Sequence, residues 1–499
     1  MTKYDVIIIG SGLGGLLCAF ILAKNGKKVL VVEKHKQPGG CLQTFNRSGV
    51  KFDTGMHYIG SMDPGQIMHR FFNYFDLLDN VKLRKLDPDG YDVISLQGKK
   101  HRFAMGFENF IDALSSSFPE EHENIKKYIG KIRNIASESP LYNLREVEQN
   151  VFLNIESVKS GINEFIDSIT SNITLRNVLA GNLPLYAGLS NITPLYIHAL
   201  INNFYIQSAY RIQGGSDSIA RSLVNSIENF GGKLMVGAEV VKIHCDYDKA
   251  VSVELDNGEI LEGESFISNI HPQATIDKLD THLIRRATRQ RISELKNTIS
   301  NFTVYIKFKP NTEKYLNYNY FNYESNDVWS CENYTDSDWP RNYLYMHQCP
   351  PENNNQEFAG SAVLIGYMHY RDVAKWADTT VGRRGADYNE FKEMKARNML
   401  DSLEKSFPGI GQRIESYTCS TPLTYRDYTA TKEGSMYGIV RDKNLPSQTI
   451  VSQRTRVPNL FLTGQNINSH GILGVTIGAI ITCSEYLGIN QIIKDIKNK

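Results

Sequence analysis

Gly10, Gly12 and Gly15 stand in the spacing GxGxxG directly after the run Asp5-Val6-Ile7-Ile8-Ile9. Such a β-branched run suits a parallel strand buried on both faces. Leu13 and Gly14 complete the loop, Leu16 to Lys24 has helical composition, Gly26 ends it, and Lys28 to Val32 forms a second strand closed by Glu33. The glycines have separate tasks. Gly10 allows the tight turn, Gly12 lets a pyrophosphate approach the backbone, and Gly15 lets helix and strand pack closely. The helix N-terminus offers free N–H groups and a partial positive charge to phosphate. Glu33, followed by Lys34, stands where a carboxylate accepts hydrogen bonds from a ribose hydroxyl and repels a 2′-phosphate, which disfavours NADP. A lone GxGxxG is as readily a glycine-rich turn without a ligand. Strand, helix, second strand and terminal acid in order favour a dinucleotide.

The elements that must position this unit belong to a chain of 499 residues, long enough for two domains or one elaborated domain. A net charge of +1 gives no long-range field toward nucleic acid, so a nucleic-acid partner is disfavoured. Seven widely spaced cysteines without a CxxC pair read as free thiols in a reducing compartment, and they offer neither a zinc site nor a disulfide framework. The first strand carries the nucleotide motif and cannot be discarded as a signal peptide, so the mature chain is expected to begin at Met1. The longest apolar-rich stretch, Ile472 to Ile481, is broken by Gly474 and Gly478 and falls short of the ~18 residues that span a bilayer. A cytoplasmic location is expected, with peripheral membrane contact left open.

Further motifs recur along the chain. Pro38-Gly39-Gly40-Cys41 follows Glu33, and Phe52-Asp53-Thr54-Gly55-Met56-His57-Tyr58-Ile59-Gly60 comes soon after. Tyr210-Arg211-Ile212-Gln213-Gly214-Gly215 precedes an expected helix over Ser216 to Asn229, and Val240 sits in the strand that follows. Asp256-Asn257-Gly258 marks a hairpin between Ala250–Leu255 and Glu259–Leu261, with Phe266–Asn269 as the next strand. Pro458 to Gly464 reads as a strand ending in glycine, followed by Gln465 to Gly474 as a loop and an apolar helix from about Val475 to Tyr486.

Together these motifs resemble the phytoene desaturase, carotenoid isomerase and retinol saturase family of FAD-dependent oxidoreductases. Leu462-Thr463-Gly464-Gln465, Gly471-Ile472-Leu473-Gly474, Thr421-Pro422-Leu423-Thr424-Tyr425 and Gly434-Ser435-Met436-Tyr437-Gly438 lean towards its retinol-saturase-like branch. The resemblance implies FAD. Gly39, Gly40 and Cys41 would lie against the flavin half and the Val240 backbone against the adenine edge. Gly464, Gln465, Gly471, Leu473, Gly474 and Val475 would serve the flavin O2 region or a phosphate. Many relatives carry Gly-Asp where this chain has Gly464-Gln465, so a neutral amide replaces a carboxylate. The implied fold is α/β, a Rossmann-like FAD-binding domain of the amine oxidase and carotenoid desaturase type interleaved with an α+β substrate domain. The former takes 1–75, 206–275 and 421–499, the latter 76–205 and 276–420. The resemblance is weak over 76–205 and 310–420, where substrate would be chosen.

In those stretches, Phe302–Phe308 alternates as a half-buried strand that Gly360–Tyr367 could pair with, Asp387–Phe407 reads as an amphipathic helix, and Asn353-Asn354-Asn355 as a surface loop. The aromatic-rich segment Tyr315 to Tyr345 suits a pocket for a flat conjugated chain or a membrane surface, but ordinary core packing is the favoured reading. The family implies a hydrophobic polyene or isoprenoid substrate, with hydride passing through flavin N5 in retinol saturase-like reduction or in carotenoid desaturation. Redox-neutral cis-trans isomerisation, amine-oxidase-like C–N oxidation and a non-catalytic flavoprotein are the alternatives. Placement alone nominates His57, Tyr58 and His470 as proton donors. No metal motif and no second dinucleotide fingerprint is visible, so a nicotinamide electron donor would bind transiently or electrons would come from another source, and the electron donor or acceptor is left open.

Overall fold

A computed structural model describes residues 3–147, 155–350 and 357–499; Met1 and the Asn353–Asn355 loop lie outside them. The strand Tyr4–Ile9 pairs in parallel with Val29–Glu33, which pairs in parallel with Lys233–Val236. On its other side lies Ile260–Ser268, also parallel, and then Leu460–Leu462. Almost every residue of Tyr4–Ile9 and Val29–Glu33 is buried, as the β-branched runs require of a sheet covered on both faces. The helices Leu13–Lys24, Asp217–Asn229 and Gly471–Leu487 share one core beneath this sheet, and Leu13–Lys24 is apolar on every side because it is sandwiched there.

Two sequence expectations are corrected. Glu259–Leu261 and Phe266–Asn269 are not separate strands. They are one strand, Ile260–Ser268, which runs antiparallel to Ala250–Leu255 over its first residues and parallel to Tyr4–Ile9 from Gly263 onward. Nothing between the two halves turns the chain, so one strand changes partners. The last apolar helix starts at Gly471, not near Val475, so Leu473 and Gly474 lie inside it and not in the preceding loop. Its glycines suggested a loop, but packing against Leu13–Lys24 decides the conformation. Among the described residues no single helix is long and apolar enough to cross a membrane.

The second sheet has seven strands in the order Ile414–Ser420, Ser300–Phe308, Ser361–Met368, Asn342–His347, Asn319–Tyr323, Asp92–Leu96 and Lys99–Phe103. All neighbours are antiparallel except the parallel pair Asn319–Tyr323 and Asp92–Leu96. The expected pairing of the strand after Phe302 with the one after Gly360 is present, and the helix Ala386–Ser406 covers one face. The other face meets the helices Phe107–Ser117, His122–Glu138 and Leu195–Gln207. Strand alternation sorts the aromatic segment. Tyr343 and Tyr345 pack under Ala386–Ser406, while Leu344 and Met346 point to the opposite face.

A Cβ on Gly15 would lie 2.1 Å from the Gly10 carbonyl oxygen, whereas one on the exposed helical Gly130 would meet nothing within 4 Å. Gly15→Ala is therefore expected to lose about 1–3 kcal/mol of stability, and Gly130→Ala to gain about 0.5–1 kcal/mol. Denaturant unfolding of the two variants checks the contrast.

Candidate functional site

Three strand ends converge at the carboxyl edge of the parallel sheet. Gly10 follows Tyr4–Ile9 at φ +92°, Asn269 follows Ile260–Ser268, and Gly464 follows Leu460–Leu462 at φ +93°. The approach is backbone to backbone. A Cβ on Gly14 would sit 3.1 Å from Gly464 N and 2.6 Å from Asn269 Oδ1, and one on Gly12 2.7 Å from Asn269 Nδ2. The Gly39–Gly40 loop folds onto the same place. Gly39 N donates to the Ser11 carbonyl at 3.1 Å, and a Cβ on Gly40 would lie 3.1 Å from Gly12 Cα. Glu33 is fixed at its rim, accepting from Ser11 N at 2.9 Å, Ser11 Oγ at 2.6 Å and His35 N at 2.9 Å.

From these loops a cavity of about 460 Å³ opens inward between the two sheets. Its outer half is lined by Gly10, Gly12, Leu13, Gly14, Glu33, Lys34, Gly39, Gly40 and Val240, with the Lys278–Glu239 ion pair (3.3 Å) beside Val240. Cys41, His57, Tyr58, Gly464, Gln465, His470, Gly471 and Val475 also reach it. Three of the residues expected here do not. Gly15 is the helix–strand contact described above. Leu473 turns into the helical core, and Gly474 faces Ser469, whose Cβ lies 2.7 Å from where its own would be. The helix Gly471–Leu487 begins at the cavity with His470 as N-cap, so its first N–H groups and positive dipole end open there. Arg441, missed from sequence, braces the loop before it. This buried guanidinium donates to the carbonyls of Asn466 (2.8 Å), Ile467 (2.9 Å) and Asn468 (3.3 Å).

The inner half is apolar and aromatic. Leu344, Met346, Ile365 and Tyr367 come from the second sheet, Tyr205 from Leu195–Gln207, and Tyr425 and Tyr437 from the returning C-terminal segment. No Asp, Glu, Lys or Arg side chain among the described residues lines this half. Tyr425 Oη donates to Thr54 O at 2.9 Å and Tyr437 Oη to Pro184 O at 2.8 Å, so both phenols are committed to backbone. His57 is pulled down to about 4 by burial and by the charge of Arg211. Burial likewise draws His470 to about 4, with Leu185 O at 3.2 Å from its Nε2 and its ring 4.4 Å from that of Tyr437. Both imidazoles are therefore neutral near pH 7 and carry no positive charge into the cavity.

Tyr58 differs. Its ring stacks on Tyr205 at 4.3 Å, its hydroxyl donates to Asp92 Oδ2 at 3.1 Å, and burial and then Asp92 hold the phenol protonated. Asp92 is pushed up to about 7 by burial, against opposing hydrogen bonds from Asn319 and Tyr58 and the charge of Arg211. Sequence reading found Tyr58 but not Asp92 or Asn319, which lie in the stretches where no motif was recognised.

A family model described as NAD(P)-binding Rossmann-like domain matches residues 8–75. All-trans-retinol 13,14-reductase of Homo sapiens is 28% identical over 99% of this chain and 87% of its own length. Prolycopene isomerase 1, chloroplastic, of an Oncidium hybrid cultivar is 24% identical over 96% of this chain and 83% of its own. Over nearly its whole length the chain is thus similar to retinol 13,14-reductases and prolycopene isomerases, as the resemblance in its motifs implied. A solved putrescine oxidase carrying a redesigned cofactor site shares the fold at TM-score 0.64 and 15% identity, covering 97% of this chain and 99% of that one. The fold is thus the Rossmann-like amine oxidase type with an added α+β sheet layer.

Asp92 sets a pH dependence whose sign is fixed. Its folded value, about 7, lies above its ordinary 3.8, so the folded state binds the extra proton between them. The stability this contributes is complete below about pH 4 and is lost as pH rises through about 7. Asp92→Asn is expected to remove that loss, gaining on the wild type by roughly 4 kcal/mol at most above pH 7. Chemical unfolding at a series of pH values reads the difference.

Proposed function

We propose that the chain binds FAD and uses it to move hydride to or from a carbon–carbon double bond of a hydrophobic polyene or isoprenoid, reduction in the manner of retinol 13,14-reductase being the favoured direction. One observation carries the reading. A single cavity joins a backbone cradle fit for a dinucleotide to a wall of Leu344, Met346, Ile365 and tyrosines that presents no charge. An amine, cationic near neutrality, would meet no carboxylate in that half, which counts against C–N oxidation.

The cradle fits the cofactor in shape and polarity. The Gly10–Gly14 loop and the start of Leu13–Lys24 would take the pyrophosphate, because the cavity opens on that loop and on the free N–H groups of the helix start. Glu33 would accept from the ribose, Val240 would meet the adenine, and Gly39, Gly40 and Cys41 would face the flavin half. Gln465 and the N–H groups of Gly471 to Val475 would meet the flavin O2 region or a phosphate, neutral donors serving where relatives use a carboxylate. When bound, FAD supplies hydride acceptance and delivery at N5. The chain's own part is to hold the polyene against the tyrosine wall, exclude water from it and keep His57 and His470 uncharged.

Redox-neutral isomerisation is the second reading, favoured by the similarity to prolycopene isomerase 1. Anaerobic photoreduced protein offered all-trans-retinol and a carotenoid panel separates the two. Flavin reoxidation with loss of a double bond supports reduction, while geometric isomers without reoxidation support isomerisation. A preparation that stays colourless after FAD is supplied overturns both. Glu33→Ala, which removes a charged hydrogen-bond acceptor, is expected to weaken FAD binding about 10–100-fold by titration of flavin fluorescence.

A further inference from the structure

Four buried polar side chains from four separate segments join end to end behind the cavity wall. Arg211 Nη2 donates to Asn319 Oδ1 at 2.9 Å, Asn319 Nδ2 donates to Asp92 Oδ1 at 2.7 Å, and Tyr58 Oη donates to Asp92 Oδ2 at 3.1 Å. Asp92 and Asn319 are 0% exposed, Arg211 2% and Tyr58 5%, and of the four only Tyr58 lines the cavity. The Arg211 Nη groups also donate to the Leu316 and Tyr318 carbonyls and the Tyr315 hydroxyl, while its buried Nε has no partner, so its charge reaches Asp92 through the amide of Asn319. A buried ionic chain of this kind is weak as a stabilising device, since apolar side chains of like volume often serve as well or better. Its layout is that of a proton path ending at the substrate wall.

We propose that Tyr58 is the acid that protonates the substrate carbon next to the one that takes hydride, and that Asp92 is the proton source behind it. This rests on the polyene-reduction reading. With reduced flavin as the hydride source at one carbon, the π electrons would form a C–H bond at its neighbour with the Tyr58 hydroxyl proton as the Tyr58 O–H bond breaks. The Asp92 carboxyl proton passes to Tyr58 Oη, leaving a carboxylate that Asn319 and Arg211 stabilise, and water restores that proton between turnovers. The hydrogen-bond polarity supplies the logic. Ionised Asp92 can only accept, so it draws the Tyr58 hydrogen away from the cavity; protonated Asp92 donates to Tyr58 Oη and frees that hydrogen to face the substrate. Asn319 and Arg211 are positioning residues.

The other titratable groups facing the pair are Tyr91 from the same segment, Tyr205 from Leu195–Gln207 and His57 from the segment of Tyr58. Burial keeps the tyrosines protonated and His57 neutral, so Asp92 is the member that changes charge near neutrality. Activity is accordingly present at low pH and falls as pH rises through about 7.

The test uses the full chain loaded with FAD, with all-trans-retinol as the probe. Flavin reoxidation after anaerobic photoreduction is followed between about pH 5 and 9, alongside quenching of retinol fluorescence by the oxidised protein and infrared titration of its carboxyl groups. Tyr58→Phe is expected to bind retinol normally yet reoxidise about 10²–10⁴-fold more slowly. It should also raise the midpoint of the carboxyl band that Asp92→Asn abolishes, because the carboxylate loses a donor. Asp92→Asn, which still accepts from Tyr58, should erase the fall in rate near pH 7, and Tyr205→Phe should keep it. A wild-type rate in Tyr58→Phe, or a surviving pH break in Asp92→Asn, overturns the proposal. If retinol fails to reoxidise even the wild-type flavin, the reductase reading falls. The infrared titration then decides the pair alone, and a midpoint that Tyr58→Phe leaves in place overturns it.

Discussion

The close approach of four backbone segments at the carboxyl edge of the parallel sheet is the constraint on which the rest depends. Gly10–Gly14, Gly39–Gly40, Asn269 and Gly464 meet where side chains would collide, with Gly14 and Gly464 so near that one methyl group would have to displace backbone. Glycine at these places is therefore a packing requirement before it is a binding one. The crowding leaves N–H groups of two helix starts, Leu13–Lys24 and Gly471–Leu487, directed at one space. An anion there would meet oriented donors that need no rearrangement, and the Glu33 carboxylate is already held by Ser11 and His35 at the cavity rim.

The two halves of the cavity differ in the way their polarity is met. In the outer half, backbone amides and the Glu239–Lys278 pair supply partial and full charges. In the inner half burial suppresses charge, drawing His57 and His470 below their ordinary range and holding the tyrosines protonated. Such an uncharged wall suits an apolar ligand, because a charged group placed against it would lose its hydration without gaining a partner. Arg211 and Arg441 lie behind that wall with their guanidinium groups on carbonyls and amides, so positive charge is present without being presented.

What could be read from the sequence follows from how local each determinant is. The βαβ unit was legible because strand, glycine loop and helix are adjacent in the chain and each declares itself by spacing. Cys41, Val240 and Gly464 were legible through resemblance, and all three reach the cavity. Leu473 and Gly474 were misplaced because glycines at 471 and 474 look like a loop, whereas burial against Leu13–Lys24 makes them helix. Asp92, Asn319 and Arg211 could not be grouped from sequence. They lie up to 227 residues apart, on strands whose local pattern is that of ordinary sheet. The signal that was available is a lone charge in an apolar setting: Asp92 heads the run Val93-Ile94 and Arg211 sits between Tyr210 and Ile212.

The aromatic segment shows why composition misleads about pockets. Its tyrosines look suited to a conjugated ligand, yet Tyr320, Tyr343 and Tyr345 fill the core under Ala386–Ser406. The residues that face the cavity are the plainer Asn342, Leu344 and Met346 between them, because a strand sends alternate side chains to opposite faces. The lining is then settled by register, and register by the pairing of Leu344 with Ile365 and of Tyr345 with Leu364 on the neighbouring strand. Ile365 and Tyr367 share the cavity face for the same reason. A slip of one residue would exchange this aliphatic wall for hydroxyl-bearing rings and move Tyr367 into the far core. In this fold the lining of the inner cavity is thus a property of sheet pairing, whereas the outer cavity is shaped by loops, so the two can vary independently.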